Sequence, residues 1–147
     1  MEFCWGLALG SPEQADTAKA AKRPFLVGAH HMMDDLKYKN SGIGGILGEA
    51  PFFSGYIHGH KHRWQMNWFG RWGKRRIVRS LGLPSVGWWG DIGYAVMRTF
   101  SDRVEITNVQ NDFYFPQPLK AGVERPPEWD DMIRERNGET CIMRYKG

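Results

Sequence analysis

Cysteine is scarce in these 147 residues: Cys4 and Cys141 stand near opposite ends and are the only two. Two cysteines build neither a disulfide scaffold nor a zinc knuckle, so a reducing, cytoplasmic setting is the simplest expectation. Long apolar runs are missing as well. The longest, Phe3 to Gly10, falls short of the roughly 18 to 20 residues that cross a bilayer, and no basic residues precede it, so neither a membrane span nor a signal peptide is expected. Acid is absent from one whole region. No Asp or Glu occurs between Ala50 and Gly90, whereas Lys61, Arg63, Arg71, Lys74, Arg75, Arg76 and Arg79 do. Internal repeats and low-complexity tracts are also lacking. The glycine-rich Gly42 to Gly48 has no Gly-Lys-Ser/Thr ending, which speaks against a phosphate cradle of the P-loop type and for a plain connector.

What remains is an ordinary globular composition with 41% hydrophobic and 24% charged residues, of a length that suits one domain. Ser11 to Lys22 reads as a helix, with Ser11 as N-cap and Pro12 at the first helical position. Phe25 to Ala29 and Phe52 to Ile57 are uninterrupted apolar runs, the pattern of strands buried on both faces in α/β layers. Arg63 to Phe69 alternates, with Trp64, Met66 and Trp68 on one face. It returns through Gly70 to Gly73 as Lys74 to Arg79, a first hairpin. Leu83 to Gly93 is a loop, in which Trp88 to Asp91 covers a site or anchors the packing. Tyr94 to Phe100 and Arg103 to Val109 form a second hairpin about Ser101 and Asp102, with Val104 and Ile106 inward. Beyond Pro118 the composition turns to charge and proline. Residues 119–147 therefore read as an appendage to a domain of residues 1–118, with a short helix at Glu128 to Arg136 and a turn at Asn137-Gly138.

The histidines carry the chemistry. All five, His30, His31, His58, His60 and His62, fall within one stretch of 33 residues. Neutral imidazole is the commonest metal ligand. His30 and His31 follow the first apolar strand, and His58-Gly59-His60-Lys61-His62 closes the second. In extended backbone, residues two apart point the same way, so His60 and His62 are expected to share one cation or serve two adjacent ones, with His30 as a third ligand. His31 and His58 are second choices. The nearest acids, Asp34, Asp35 and Glu49, stand in no evident ligand spacing.

Two motifs bear a resemblance. Phe25-Leu26-Val27-Gly28-Ala29-His30-His31 is similar to the apolar strand ending in His-His of calcineurin-like metallophosphoesterases. Ile57-His58-Gly59-His60-Lys61-His62-Arg63 resembles that family's Gly-His-x-His motif, in the same order and separation. The resemblance covers roughly residues 11–110. It implies the strand-rich C-terminal half of a layered α/β sandwich with two β-hairpins, and a centre of two divalent ions, manganese, iron or zinc. By it, His30 and His60 bind one ion and His62 the other, while Arg63 and His31 contact a phosphoester or phosphorylated substrate. The Asp-x-His, Gly-Asp-x-x-Asp and Gly-Asn-His-Asp/Glu motifs of that family's N-terminal half do not occur in this sequence, so no catalytic acid or base is identifiable. The expectation is an incomplete dinuclear centre, weakly active or inactive alone, that depends on a missing N-terminal half or on a second copy. A different class remains open: a non-catalytic, basic, aromatic-rich binding module for single-stranded nucleic acid or a protein. The simpler use of the basic stretch is to hold an anionic substrate.

Overall fold

The structure, a computed structural model, describes residues 22–32, 47, 50, 52–69, 78–87, 89–114 and 122–145. The expected helix at 11–21, the connector at 42–46, the hairpin turn at 70–73, and Asp34, Asp35, Glu49, Trp72 and Trp88 lie outside them.

Seven strands and one helix occur among the described residues, a mixed and strand-rich α/β content. β1 is Phe25–Ala29, β2 Phe53–His58, β3 Gln65–Phe69, β4 Val78–Gly82, β5 Gly90–Thr99, β6 Arg103–Tyr114 and β7 Thr140–Arg144. The helix α1 spans Pro127–Arg136. The first sheet runs β1-β2-β4-β3, parallel at β1-β2 and β2-β4 and antiparallel at β3-β4. The second is the antiparallel β5-β6-β7. Both expected hairpins are present with other bounds: β3-β4 has its return strand at Val78–Gly82 rather than Lys74 to Arg79, and β5-β6 begins at Gly90, inside the stretch expected as loop.

β2 is the strand the sequence describes best. It lies between β1 and β4, and all six of its residues are buried. A register shift opposite Phe25 and Leu26 sorts its side chains. Phe53 and Tyr56 pack with Leu47, Phe25, Val27 and Ala29 on one face. Ile57 packs on the other, with Trp64 and Leu81, against Val104, Ile106, Cys141 and Met143 of the second sheet. Gly55 sits at that junction, where an added Cβ would collide with the Met143 sulfur. β1 is half-buried throughout rather than fully buried, since among the described residues only β2 pairs with it.

The appendage reading of residues 119–147 does not survive. β7 alternates exposed and buried residues, and its inward Cys141 and Met143 are core, at 0% and 1% exposure. Burial pushes the Cys141 thiol up, partly offset by Arg79, and so keeps the sulfur protonated. Pro127 opens α1, acids Glu128 and Asp130 occupy its first turn, and Arg134 and Arg136 its last, in accord with the helix dipole. The helix buries Trp129 edge-on against Phe113 of β6, ring centroids 5.4 Å apart. Ahead of it, Arg125 pairs with Asp112 and, at 2.8 Å, with Asp130. Burial alone would raise the Asp112 carboxyl. Hydrogen bonds from Tyr114, Arg125 and the Phe113 N–H, with the Arg125 charge, outweigh it and hold the group below its ordinary value. Charge dominates the composition of this segment, but its few apolar residues carry the packing. Among the described residues, no helix is long and apolar enough to cross a membrane.

Candidate metal centre

Register builds the site. Ala29 of β1 stands beside His58 of β2, so the two parallel strands end level and their next residues meet. The Gly59 N–H donates to Ala29 O at 3.3 Å and extends the pairing by one step. β1 then delivers His30 and His31, while the Tyr56 hydroxyl donates to His31 O at 2.8 Å and ties that corner to β2. On the β2 side the chain turns sharply. The Lys61 N–H donates to Gly59 O at 2.7 Å, closing a three-residue turn about His60, whose φ is 62°. A γ-turn with positive φ at its centre is the rare, strained form. A non-glycine residue held there costs on the order of 1–3 kcal/mol, a strain that concentrates at ligand sites.

The result is three imidazoles in one corner. His60 Nδ1 and His30 Nε2 are 3.2 Å apart. Ring centroids are 4.9 Å apart for His30–His31, 5.0 Å for His30–His60 and 4.6 Å for His31–His60. One nitrogen from each ring lies within 4.8 Å of the others. A tetrahedral ion with bonds of about 2.0–2.1 Å to nitrogen has ligand atoms roughly 3.3–3.4 Å apart, so the His30–His60 pair already matches one edge of such a shell. His30 and His31 are exposed and His60 is half-buried, which leaves the corner open to solvent. An all-imidazole donor set suits zinc, copper, iron or nickel better than the hard ions magnesium and calcium.

The other histidines are elsewhere. His62 has φ 48°, so neither it nor His60 is in extended backbone, and the expectation that they point the same way fails. His62 packs on Trp89, ring centroids 4.2 Å apart, and its Nδ1 faces Trp89 O at 3.1 Å. A carbonyl only accepts, so Nδ1 is the donor in this contact. His58 is buried at 2% exposure, with Nδ1 donating to Gly59 O at 3.1 Å. A Cβ added at position 82 would meet the Arg63 carbonyl oxygen at 2.7 Å and this ring at 3.2 Å, so the ring is packed against β4. Arg63 is exposed, three residues beyond His60.

Of the tryptophans in the acid-free region, Trp64 is core. Trp89 lies under His62, and Trp68 is exposed with the Arg79 guanidinium 4.3 Å from its ring centroid.

One group close to this turn, expected in the Trp88 to Asp91 stretch of a loop that covers a site or anchors the packing, lies instead in β5. Asp91, at 0% exposure, accepts from the Trp64 N–H at 2.6 Å, from Gln110 Nε2 at 3.1 Å and from Arg136. The signal was available: Asp91 is the acid that ends the acid-free region, and an acid directly after a Trp-Trp-Gly run has reason to be buried. No protein-family model, curated protein or solved structure matches this chain.

Proposed function

We propose that this chain binds one zinc-like divalent cation through His30, His31 and His60, and that it carries the imidazole part of a calcineurin-like phosphoester hydrolase centre. The convergence of three ring nitrogens at the C-terminal ends of two adjacent parallel strands supports this most directly. Such edges are where α/β layers place their ligands. Three imidazoles leave one position of a four-coordinate ion open, the arrangement of a catalytic rather than a structural zinc site. When bound, such an ion polarises a phosphoryl oxygen and makes water more acidic.

The residues divide that work. His30 and His60 form the tight edge of the shell and His31 closes it. His62, set apart with its Nδ1 turned to Trp89 O, leaves Nε2 for the second ion of a complete dinuclear centre, and the exposed Arg63 suits a substrate phosphate. The carboxylate motifs that supply the bridge between two ions in that family do not occur in this sequence. Turnover by the chain alone is therefore expected to stay near background.

Calorimetric titration with Zn²⁺ is expected to give one ion per chain, and much weaker binding for His60→Ala. Absence of binding by the wild type would refute the metal site. Steady hydrolysis of bis(p-nitrophenyl) phosphate with Mn²⁺, abolished by His60→Ala, would refute the incomplete-centre part.

A further inference from the structure

We propose that Asp91 is the positioning residue of the histidine turn, and that through Arg136 it makes cation affinity at His30, His31 and His60 depend on α1. This rests on the metal-site reading above. Asp91 holds the chain in two places. Its backbone N–H donates to His62 O at 2.7 Å, and its Oδ2 accepts the Trp64 N–H at 2.6 Å. Both bonds go to main chain, on either side of Arg63, immediately after the strained turn at His60. The preceding residue completes the grip. Gly90 has φ 81° and lies so close to His62 that a Cβ there would meet both the carbonyl oxygen and the Cβ of His62. Residue 90 must therefore be glycine for β5 to press on the turn.

The far side of the carboxylate is fixed just as firmly. Asp91 Oδ1 accepts from Gln110 Nε2 at 3.1 Å and from Arg136 in the last turn of α1. Gln110 is in turn held by Asn137 Oδ1, which accepts its N–H at 3.1 Å, and by Asn108 Nδ2, which donates to Gln110 Oε1 at 3.1 Å. Asn108 Nδ2 also donates to Arg136 O at 3.0 Å. A purely structural ion pair would need Arg136 alone. Two main-chain bonds to the segment that follows His60 are what a device for positioning that turn requires. A turn pinned before the ion arrives has little order left to gain on binding, which raises affinity without any new contact.

The test is Zn²⁺ affinity of the whole chain, read by competition with a chromogenic chelator. The set compared is wild type, Asp91→Asn, Gln110→Leu and Met143→Ala. Met143 is core at 1% exposure and takes no part in the hydrogen bonds of Asp91, so its variant reports loss of stability. An asparagine at 91 sets an amide donor against Trp64 N–H or Arg136, and affinity is expected to fall about 10- to 100-fold, as for lost outer-shell partners. Gln110→Leu should give a smaller loss, and Met143→Ala none. A Co²⁺ absorption spectrum should change for Asp91→Asn and not for Met143→Ala. Unchanged affinity in Asp91→Asn, or an equal fall in Met143→Ala, overturns the inference and leaves the metal site standing. Absence of binding by the wild type overturns both. Should Asp91→Asn fail to fold, Gln110→Leu against Met143→Ala decides by the same criterion.

Discussion

Two polar clusters lie within a few residues of each other and have opposite designs. Around Asp91, a buried carboxylate meets a guanidinium, a side-chain amide and a backbone N–H. At the ends of β1 and β2, three imidazoles face one another with solvent access and, among the described residues, no carboxylate in the group. Buried polar groups are tolerated when their partners are fixed, and such groups hold structure. Convergent lone pairs on an exposed strand end gain nothing from each other without a cation or proton between them. The comparison separates what holds the turn from what the turn presents.

The largest effect should come from the presenting side. His60→Ala removes one of three ligands and should weaken Zn²⁺ binding by more than the about 100-fold typical of an outer-shell loss, with the folded state intact by circular dichroism. Because protons compete with a cation for imidazole nitrogen, wild-type Zn²⁺ binding should weaken as the pH is lowered, measured with the same titration. On the holding side, Asp91→Asn leaves the half-buried Arg136 without its countercharge and sets an amide against partners fixed for a carboxylate, which should cost about 1–3 kcal/mol in urea unfolding. Gly55→Ala forces a methyl into the Met143 sulfur and should cost about 1–3 kcal/mol by the same measurement, with Zn²⁺ affinity unchanged. The smallest effect tests the Arg125 anchor of α1. Asp112 is held below its ordinary value in the folded protein, so its contribution is present above the unfolded value and vanishes as pH falls through the folded one. Asp112→Asn should therefore destabilise by about 1 kcal/mol at neutral pH and by nothing measurable in strong acid.

Much of the frame was legible from periodicity. Phe53 to His58 reads as a buried strand because parallel neighbours cover it on both sides, and the β5-β6 hairpin reads from Val104 and Ile106. The C-terminal segment was not legible by composition. Only its alternation, Thr140 out, Cys141 in, Ile142 out, Met143 in, carries the signal, and charge and proline around it hide five residues of strand. The histidine corner was half legible. His30 and His60 meet because strand register dictates it. His62 departs because two left-handed residues in three turn the chain, and positive φ at histidine is not written in local propensity. It is imposed from β5 by Gly90 and Asp91, more than 25 residues downstream, which no local pattern encodes.

X-ray absorption at the zinc edge of the loaded chain, with His60→Ala and His62→Ala alongside, tests the central claim most directly. The account predicts three imidazole nitrogens at about 2.0–2.1 Å in the wild type and in His62→Ala, and their loss in His60→Ala. A shell that lacks imidazole, or one that is the same in His60→Ala as in the wild type, would contradict it.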